Sequence, residues 1–336
     1  MATLEHDDRP PSGGGRGGGR DPFDQRLADG EIVASRYRIV RLIGAGAVGE
    51  VYEAHDETVG EAVALKTLRA SSADDNVSIE RFRREIQLAR KVTHRNVCRT
   101  FDVGRHERAD AEPLTFITME LLRGGTLAEV LAARGRYRSD EALPLVAQMA
   151  AGLGAAHAVG IIHRDFKPGN LMLVPDDGGA ERVVITDFGL ARRYSLDEIS
   201  ITVTGEAVGT PLYMAPEQVV SGQQPITATT DVYALGIVMY EMVTGELPFK
   251  GSSITVMAIK RFKEAAPAPR LIVPDLDARW NATILRCLEK DPARRYPSTA
   301  DVVTALRADG PPPEPPADTP EGGWKRGFFR RASRKK

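Results

Sequence analysis

This chain of 336 residues has few cysteines, almost no net charge and no long apolar run. Its two cysteines, Cys98 and Cys287, are too few for a disulfide framework, so we expect a reducing, cytoplasmic environment. The formal net charge of −1 gives no indication of nucleic-acid binding. No basic N-terminal stretch precedes an apolar core, which argues against a secretion signal. The most apolar stretch, Val232 to Val243, contains Glu241 and is too short to span a bilayer.

The two ends of the chain differ in composition from its middle. Residues 1–34 contain Pro10, Pro11 and a glycine-rich run at 13–19, and we predict disorder there because such a segment buries little apolar surface. Residues 309–336 combine a Pro-rich linker with a basic, aromatic tail. The folded domain is therefore expected over residues 35–308.

Within residues 35–308 the pattern changes from strand-like to helical. Short β-type runs alternate with turn residues, and one early stretch, 80–92, has apolar residues at helical spacing. The predicted strands are 37–43, 51–54, 62–66, 114–122, 171–174 and 182–186, and the long predicted helices are 140–158 and 229–243. We therefore predict an α+β, two-lobed architecture. The β-rich lobe with one key helix covers 35–121, the mainly helical lobe covers 122–308, and a cleft between them is a common place for a nucleotide.

A glycine-rich segment lies between the first two predicted strands and has the sequence GAGAVGEV at positions 44–51. Glycines let a backbone turn sharply and approach phosphates closely. A dinucleotide-binding fold would place a helix directly after the last glycine, whereas this segment continues as a strand to Ala54. A plain glycine-rich hairpin remains open from this segment alone.

Lys66 ends an apolar run that is predicted to be a strand. A charge in such surroundings is costly unless it is paired, so Lys66 needs both a phosphate and a carboxylate partner. Glu85 offers that carboxylate from the predicted helix at 80–92, because it shares a face with Ile86 and Leu88. Glu80 is a competing candidate, and an isolated Glu on a helix is usually a solvated residue.

Two polar motifs flank the small predicted strand pair: HRDFKPGN at 163–170 and DFG at 187–189. Asp165 can accept a hydroxyl proton, and Lys167 can neutralise a moving phosphoryl group. Asn170 and Asp187 offer oxygen ligands for Mg²⁺. Either motif alone could be a polar turn, but the two together indicate phosphoryl transfer.

A third motif, GTPLYMAPE at 209–217, has no obvious chemistry of its own. Its Glu217 is matched by an arginine far along the chain, Arg295, and a buried pair between them would fix this segment to the helical lobe. We expect this role to be structural.

In this order the motifs resemble the eukaryotic-type (Hanks-type) Ser/Thr protein kinase family, in its bacterial branch, over residues 37–306. The resemblance implies the bilobal protein-kinase fold, with ATP and Mg²⁺, or Mn²⁺ as a substitute, as cofactors. It implies Asp165 as catalytic base, Lys167 on the γ-phosphate, Lys66 on the other phosphates and paired with Glu85, and metal binding by Asn170 and Asp187. Asp231 resembles the family's buried aspartate that braces the backbone at 163–164. The implied nucleotide-binding residues are Gly44, Ala45, Gly46, Ala47, Gly49, Val51, Ala64, Lys66, the gatekeeper Met119, and the hinge residues Glu120 and Leu122.

The family resemblance also bears on which hydroxyl groups are phosphorylated and on the alternative functions. Lys167 lies two residues after Asp165, and Thr210 follows later in the chain; this pattern resembles that of Ser/Thr kinases rather than that of tyrosine kinases. Phe166 replaces the usual aliphatic residue, and the tip of the glycine loop lacks an aromatic. A pseudokinase scaffold would have lost a catalytic group, and an aminoglycoside-phosphotransferase-like enzyme would lack the Ala-Pro-Glu segment that ends at Glu217.

Two regulatory hypotheses concern the loop before Glu217 and the C-terminal tail. Thr202 and Thr204 are candidate phosphorylation sites, because Arg164 beside Asp165 is a ready partner for a phosphate. Autophosphorylation in trans would require a transient homodimer. The basic tail is a candidate for weak contact with an anionic membrane at its inner face, and the alternative is a solvated end or a truncated juxtamembrane segment.

Overall fold

The computed structural model describes residues 26–46, 49–68, 90–108, 113–176, 178–179, 181–188, 211–219, 225–251 and 254–309. Within these ranges the chain forms a β-rich lobe followed by a helical lobe. The strands are β1 (Ile32–Val33), β2 (Tyr37–Gly46), β3 (Gly49–Asp56), β4 (Glu61–Leu68), β5 (Thr100–His106), β6 (Leu114–Glu120), β7 (Gly125–Thr126), β8 (Leu171–Pro175) and β9 (Glu181–Ile185). The α-helices are α1 (Leu127–Arg134), α2 (Ser139–Ala158), α3 (Pro216–Val219), α4 (Ala228–Thr244), α5 (Ile254–Lys263), α6 (Ala278–Cys287) and α7 (Thr299–Arg307). The predicted helix at 80–92 lies outside the described residues.

The first lobe is one antiparallel sheet with the strand order β1-β2-β3-β4-β6-β5. Its inner face buries a cluster of apolar and aromatic side chains, in which Tyr37 and Phe116 pack edge to face at 5.6 Å. Gly104 on β5 lies directly beneath Phe116, because a Cβ there would come within 2.3 Å of the ring. The large aromatic residue on one strand therefore requires glycine on its neighbour.

The ordered lobe begins earlier than the sequence predicted. The predicted disordered segment ended at residue 34, but β1 lies within it and pairs with β2, and both Leu27 and Val33 are buried in the core of the sheet. A two-residue strand has no readable periodicity, so the sequence pattern missed it. Among the described residues, the ordered part therefore begins at residue 26.

Helix α4 is the centre of the second lobe. It begins after Thr227, whose side chain forms a capping box with Thr230, and it ends at Gly245 in the left-handed conformation (φ 76°). Almost every side chain of α4 is buried, since it packs between α2, α6 and α7. The predicted helices at 140–158 and 229–243 are the observed α2 and α4. Helix α2 begins one residue earlier than predicted, and α4 extends one residue further at each end. No helix within the described ranges is long and apolar enough to cross a membrane.

A small sheet, β7-β8-β9, lies where the lobes meet. Antiparallel pairing places the start of β8 opposite the end of β9, with Leu171 facing Ile185. Residues just before β8 and just after β9 are therefore neighbours. Ile185 also exchanges backbone hydrogen bonds with the loop ahead of β5, at Asn96 and Cys98, which ties the hairpin to the first lobe.

Candidate active site

The loop at 163–165 is held by a buried carboxylate on α4. Asp231, 1% exposed, accepts hydrogen bonds from the backbone N–H groups of His163 (2.7 Å) and Arg164 (2.9 Å). Arg164 has φ 64°, a conformation that costs energy for a residue with a side chain. Asp231 also accepts a bond from His157 Nε2 at 2.7 Å. Two consecutive N–H groups aimed at one carboxylate fix the loop in this strained conformation, the arrangement that the resemblance implied for Asp231.

His163 links this loop to the strand that leads to Asp187. Its ring is fully buried, and its Nε2 lies 3.0 Å from the carbonyl oxygen of Thr186, which can only accept. The other nitrogen, Nδ1, accepts from the backbone N–H of Asp165 at 3.3 Å. These two partners place a hydrogen on Nε2 and leave Nδ1 as the acceptor. Phe166 packs edge to face against this ring at 5.7 Å, so the larger aromatic residue fits the core at this position.

Asp165 presents its carboxylate between two donors. Lys167 Nζ lies 2.8 Å from Asp165 Oδ2, and the amide nitrogen of Asn170 lies 3.2 Å from the same oxygen. The Asn170 amide also donates to the Asp165 backbone carbonyl at 2.8 Å. Since the NH₂ group of Asn170 is used in this way, its Oδ1 remains as the atom that could ligate a cation. Asp165 itself is partly exposed, which a group that meets a substrate requires.

Asp187 lies beside Asn170 through the hairpin. The backbone carbonyl of Asn170 accepts from the N–H of Thr186 at 2.9 Å, and Asp187 is the next residue. Asp187 has φ 56°, and its Oδ1 lies 2.6 Å from Lys66 Nζ. The strained backbone turns the carboxylate toward the first lobe. The structure therefore links the candidate base Asp165, both candidate metal ligands and Lys66 through successive contacts, while Glu85, the expected partner of Lys66, lies outside the described residues.

Sheet register places the expected nucleotide-binding side chains on one face. Val51 on β3 faces Lys66 on β4, and Ala64, two residues before Lys66, faces Met119 on β6. Directly paired residues, and residues two apart on one strand, point to the same side of a sheet. Val51, Ala64, Lys66 and Met119 therefore share the face on which Lys66 meets Asp187.

The glycines of the loop between β2 and β3 have different surroundings. A Cβ on Gly46 would meet open space, and one on Gly44 would only reach Val51 at 4.0 Å. A Cβ on Gly49 would lie 1.8 Å from the backbone oxygen of Thr67 on the neighbouring β4. Gly49 is therefore required by strand packing whatever the loop binds, a second role that its spacing in the motif did not reveal. Ala45 is in the described part of β2, and Ala47 is not described.

The segment after β6 matches the expected position of a hinge. Glu120 is the last residue of β6, and its backbone N–H donates to the Arg99 carbonyl at 2.9 Å. The Cys98 thiol lies 3.7 Å from the Glu120 carbonyl, and burial raises the pKa of that thiol to about 12, so it stays protonated and donates. Met119 and Leu122 pack on the small cluster that contains Cys98. The backbone at the expected hinge is thus packed against side chains of β8 and β9.

Glu217 and Arg295 form a buried pair, with side chains 1% and 0% exposed. Arg295 binds the carboxylate with both terminal nitrogens, at 2.7 and 2.9 Å. The neighbouring Gln218 joins this segment to the loop around Asp165, because its amide donates to the Arg164 carbonyl at 2.7 Å and its oxygen accepts from Ala215 N–H at 3.0 Å. Sequence reasoning missed Gln218, since a contact across 54 positions leaves no local pattern.

The start of the same segment is fixed by α5 and α4. Arg261 is buried and donates to the carbonyls of Leu212 (2.6 Å) and Met214 (2.9 Å). Tyr213 donates to Glu241 at 2.6 Å, and burial raises the pKa of that carboxyl group. Residues 211–219 are therefore a rigid platform. The loop that precedes it, with Thr202 and Thr204, lies outside the described residues.

Comparisons with known sequences agree with this geometry. The family described as Protein kinase domain matches residues 37–305. The serine/threonine-protein kinase PknA of Mycobacterium tuberculosis is 38% identical over 296 residues, which cover 87% of this chain and 66% of that protein. Serine/threonine-protein kinase PrkC of Bacillus subtilis is 36% identical over 284 residues, covering 83% of this chain and 42% of that protein. The chain thus spans two thirds or less of the length of these curated relatives.

Solved structures share the fold. The kinase domain of Mycobacterium tuberculosis PknI is 28% identical, with a TM-score of 0.66 over 84% of this chain and 98% of that one. Rad53 residues 1–466, solved in complex with AMP-PNP, is 26% identical, with a TM-score of 0.63 over 80% of this chain and 64% of that one. The predicted α+β bilobal architecture is confirmed. This chain belongs to the protein kinase family.

Proposed function

We propose that this chain is a Ser/Thr protein kinase that transfers the γ-phosphate of ATP to hydroxyl groups of proteins. The observation that carries the proposal is the pairing of Asp165 with Lys167 at 2.8 Å, on a loop whose neighbour in space is the Lys66–Asp187 pair. Phosphoryl transfer needs a positioned base, cationic groups for the phosphates and oxygen ligands for a metal. All three are provided by these connected residues.

The donor set fits ATP with Mg²⁺, and Mn²⁺ is an alternative cation with the same preference for oxygen ligands. Asp187 supplies a carboxylate and Asn170 a free amide oxygen, which are the hard ligands that Mg²⁺ takes alongside phosphates. When bound, ATP supplies the transferred phosphoryl group and the cation offsets the charge of its phosphates. That the relative Rad53 was solved with AMP-PNP, an ATP analogue, supports the choice of nucleotide.

The chain's own residues have separate tasks in this proposal. Asp165 accepts the proton of the attacking hydroxyl at its carboxylate, which Asn170 orients. Lys167 stays beside that carboxylate and adds positive charge where the phosphoryl group passes. Lys66, 12% exposed, holds phosphate oxygens next to the metal ligand Asp187. The remaining nucleotide contacts are assigned to the face with Val51, Ala64 and Met119, and to the hinge backbone.

The Ser/Thr assignment rests on the curated names of the relatives and on Lys167 after Asp165. Regulation by autophosphorylation in trans at Thr202 and Thr204, through a transient homodimer, belongs to the same proposal. We place the kinase domain in the cytoplasm, ending near residue 308, with the basic tail as a weak contact for an anionic membrane. Mass spectrometry of active enzyme tests the two threonines, and co-sedimentation with phosphatidylglycerol vesicles tests the tail.

The decisive experiment incubates the purified full chain with labelled ATP, Mg²⁺, a generic protein substrate and, separately, small-molecule hydroxyl acceptors. Phosphoamino-acid analysis should find label on Ser and Thr of the protein. Asp165→Asn should lower kcat by about 10²- to 10⁴-fold, the contribution of a general base, while nucleotide affinity is retained. Asp176→Asn is a matched control, because Asp176 lies on the turn after β8, away from Asp165, and its carboxylate pairs with the exposed side chain of Arg95 at 2.6 Å.

Three outcomes would contradict the proposal. Nucleotide binding without transfer would indicate a pseudokinase scaffold. Label on the small acceptors alone would indicate a small-molecule kinase. An Asp165→Asn variant with more than about a tenth of the wild-type kcat would show that Asp165 is not the base.

A further inference from the structure

Residues ahead of the family match contact the strand that carries the glycine-rich loop. We define the N-terminal segment as residues 26–33, which lie outside the matched range of 37–305. Leu27 in this segment is 5% exposed and belongs to the core of the sheet. Its backbone N–H donates to the hydroxyl of Tyr52 on β3 at 3.0 Å.

The Tyr52 hydroxyl also contacts Glu50, so it connects Glu50 to the N-terminal segment. Burial, followed by the nearby Glu50 carboxylate, raises the pKa of Tyr52 to about 12, so the hydroxyl keeps its proton and donates it to Glu50. Arg26 binds the other carboxylate oxygen of Glu50 at 3.2 Å. The carboxylate is therefore held by two side chains, one of which belongs to the N-terminal segment and the other of which is bonded to it.

Glu50 lies at the base of the loop that is expected to cover the phosphates. It follows Gly49 directly, it faces Ala45 across the β2–β3 hairpin, and its backbone N–H donates to Thr67 Oγ1 at 3.1 Å. Fixing Glu50 therefore fixes the start of β3, next to Gly49 and opposite Ala45. A loop that approaches phosphates closely is sensitive to the position of the strands from which it extends.

The N-terminal segment is itself anchored at two points away from this contact. Gly30 N–H donates to the Ile39 carbonyl at 2.8 Å, and Ile39 N–H donates to the Glu31 carbonyl at 2.8 Å. Directly after the segment, Ala34 N–H donates to His106 Nδ1 at 3.1 Å. Leu27 is thus presented to Tyr52 by a chain that cannot slide along the sheet.

We propose that the N-terminal segment positions the nucleotide loop through the relay Leu27–Tyr52–Glu50, with Tyr52 as a positioning residue for ATP binding. This inference rests on the proposed function, since it concerns the affinity of the same nucleotide. Tyr52 touches no reacting atom, so its effect is on binding and not on the chemical step.

The test compares Tyr52→Phe with Tyr37→Phe in the full chain. Both changes remove one buried hydroxyl and keep the ring, and both residues belong to the same core, but Tyr37 has no contact with Glu50 among its described interactions. The dissociation constant for a non-hydrolysable ATP analogue in the presence of Mg²⁺ should rise by about 3- to 10-fold in Tyr52→Phe, the effect of losing one hydrogen bond of ordinary net strength. It should be unchanged in Tyr37→Phe, and kcat at saturating ATP should be unchanged in both.

A second pair of variants tests the other support of Glu50. Arg26→Ala should raise the same dissociation constant by up to about 3-fold, since the Arg26 side chain is 67% exposed and such pairs are weak. Arg38→Ala is the matched control, because it removes an exposed ion pair with Glu57 at the far end of β2 and β3.

The outcomes separate the inference from the proposed function. Failure of the wild-type chain to bind the analogue would overturn both. Binding by wild type, with equal dissociation constants for Tyr52→Phe and Tyr37→Phe, would overturn the relay alone. A fall in kcat or in melting temperature of Tyr52→Phe without a change in nucleotide affinity would also overturn it, because a merely structural hydroxyl would give that result.

Discussion

Replacing Arg295 by methionine tests the strongest structural link in the helical lobe. Arg295 donates to both oxygens of Glu217 and to three backbone carbonyls, and its guanidinium lies 4.8 Å from the centre of the Tyr233 ring. The carboxylate of Glu217 has one other side-chain donor in the described structure, Thr230 at 2.9 Å. Arg295→Met keeps most of the side-chain volume but leaves a buried carboxylate with that single donor.

The magnitude follows from this burial. Removing one partner of a buried, hydrogen-bonded ion pair costs about 3–5 kcal/mol, because the remaining charge is left uncompensated. For a domain of this size that corresponds to a fall in melting temperature of about 6–20 °C. The double variant Glu217→Met/Arg295→Met should lose less than Arg295→Met alone, since it leaves no orphaned charge.

Thermal and urea unfolding, followed by circular dichroism, measure these changes. Arg294→Met is the matched control: Arg294 pairs with Glu289 at 3.6 Å and its side chain is 25% exposed, so we expect a change within about 1 kcal/mol. A melting temperature of Arg295→Met within 2–3 °C of the control, on the roughly 2–4 °C per kcal/mol scale for this size, would refute the reasoning. So would a double variant that is less stable than either single variant.

Three further predictions concern the nucleotide lobe and the loop that carries Asp165. Urea unfolding should give Gly49→Ala a lower free energy of unfolding than Gly46→Ala, by more than the ordinary glycine-to-alanine difference of about 1 kcal/mol. Of these two positions, only at Gly49 would a Cβ collide with backbone atoms. Equal free energies of unfolding would contradict this. Gln218→Ala should lower kcat by about 3- to 10-fold with unchanged ATP affinity, since the Arg164 carbonyl loses its donor; steady-state kinetics check it, and an effect on ATP affinity alone would exclude this role. The hydrogen bond from Arg36 lowers the pKa of Asp56 in the folded protein below its usual 3.8. The stabilisation of the fold by this contact is therefore fully present well above pH 3.8, and it is lost as the pH falls through the pKa of the folded state. The difference in unfolding free energy between wild type and Asp56→Asn should therefore shrink between pH 7 and pH 3, and a constant difference would refute the assignment.

Much of the fold could be predicted because its longest elements carry strong periodic patterns. Helices α2 and α4 were placed within one residue at each end, since long apolar stretches at helical spacing leave few alternatives. The proximity of Asn170 and Asp187 could also be predicted, because Asn170 directly precedes β8, Asp187 follows β9, and antiparallel pairing brings these two ends together. Local pattern and local geometry agree in these cases.

Contacts that depend on three-dimensional register could not be predicted. The collision that requires glycine at position 49 involves a carbonyl 18 residues away on the next strand, so it depends on how β3 pairs with β4. Gln218 is a polar residue on a four-residue helix and has no pattern that identifies its partner. The strand β1 is too short to show alternation, so its burial came entirely from tertiary packing.

The two lobes support their functional loops by different means, and this difference separates the effects of mutations. In the helical lobe, Asp231 holds the N–H groups at 163 and 164 while Gln218 holds the carbonyl at 164, so the backbone beside Asp165 is fixed from both sides by helical residues. In the β-rich lobe, the glycine loop is fixed at its base by Tyr52, Glu50 and the segment ahead of β2. If the proposed function holds, changes to the first set displace the proposed base Asp165 after ATP has bound, and should therefore appear in kcat. Changes to the second set alter how closely the loop meets the phosphates, and should appear in the affinity for ATP. Gln218 and Tyr52 lie in different lobes and share no hydrogen-bond partner among the described residues, so the combined effect of their variants on kcat/KM should equal the product of the single effects.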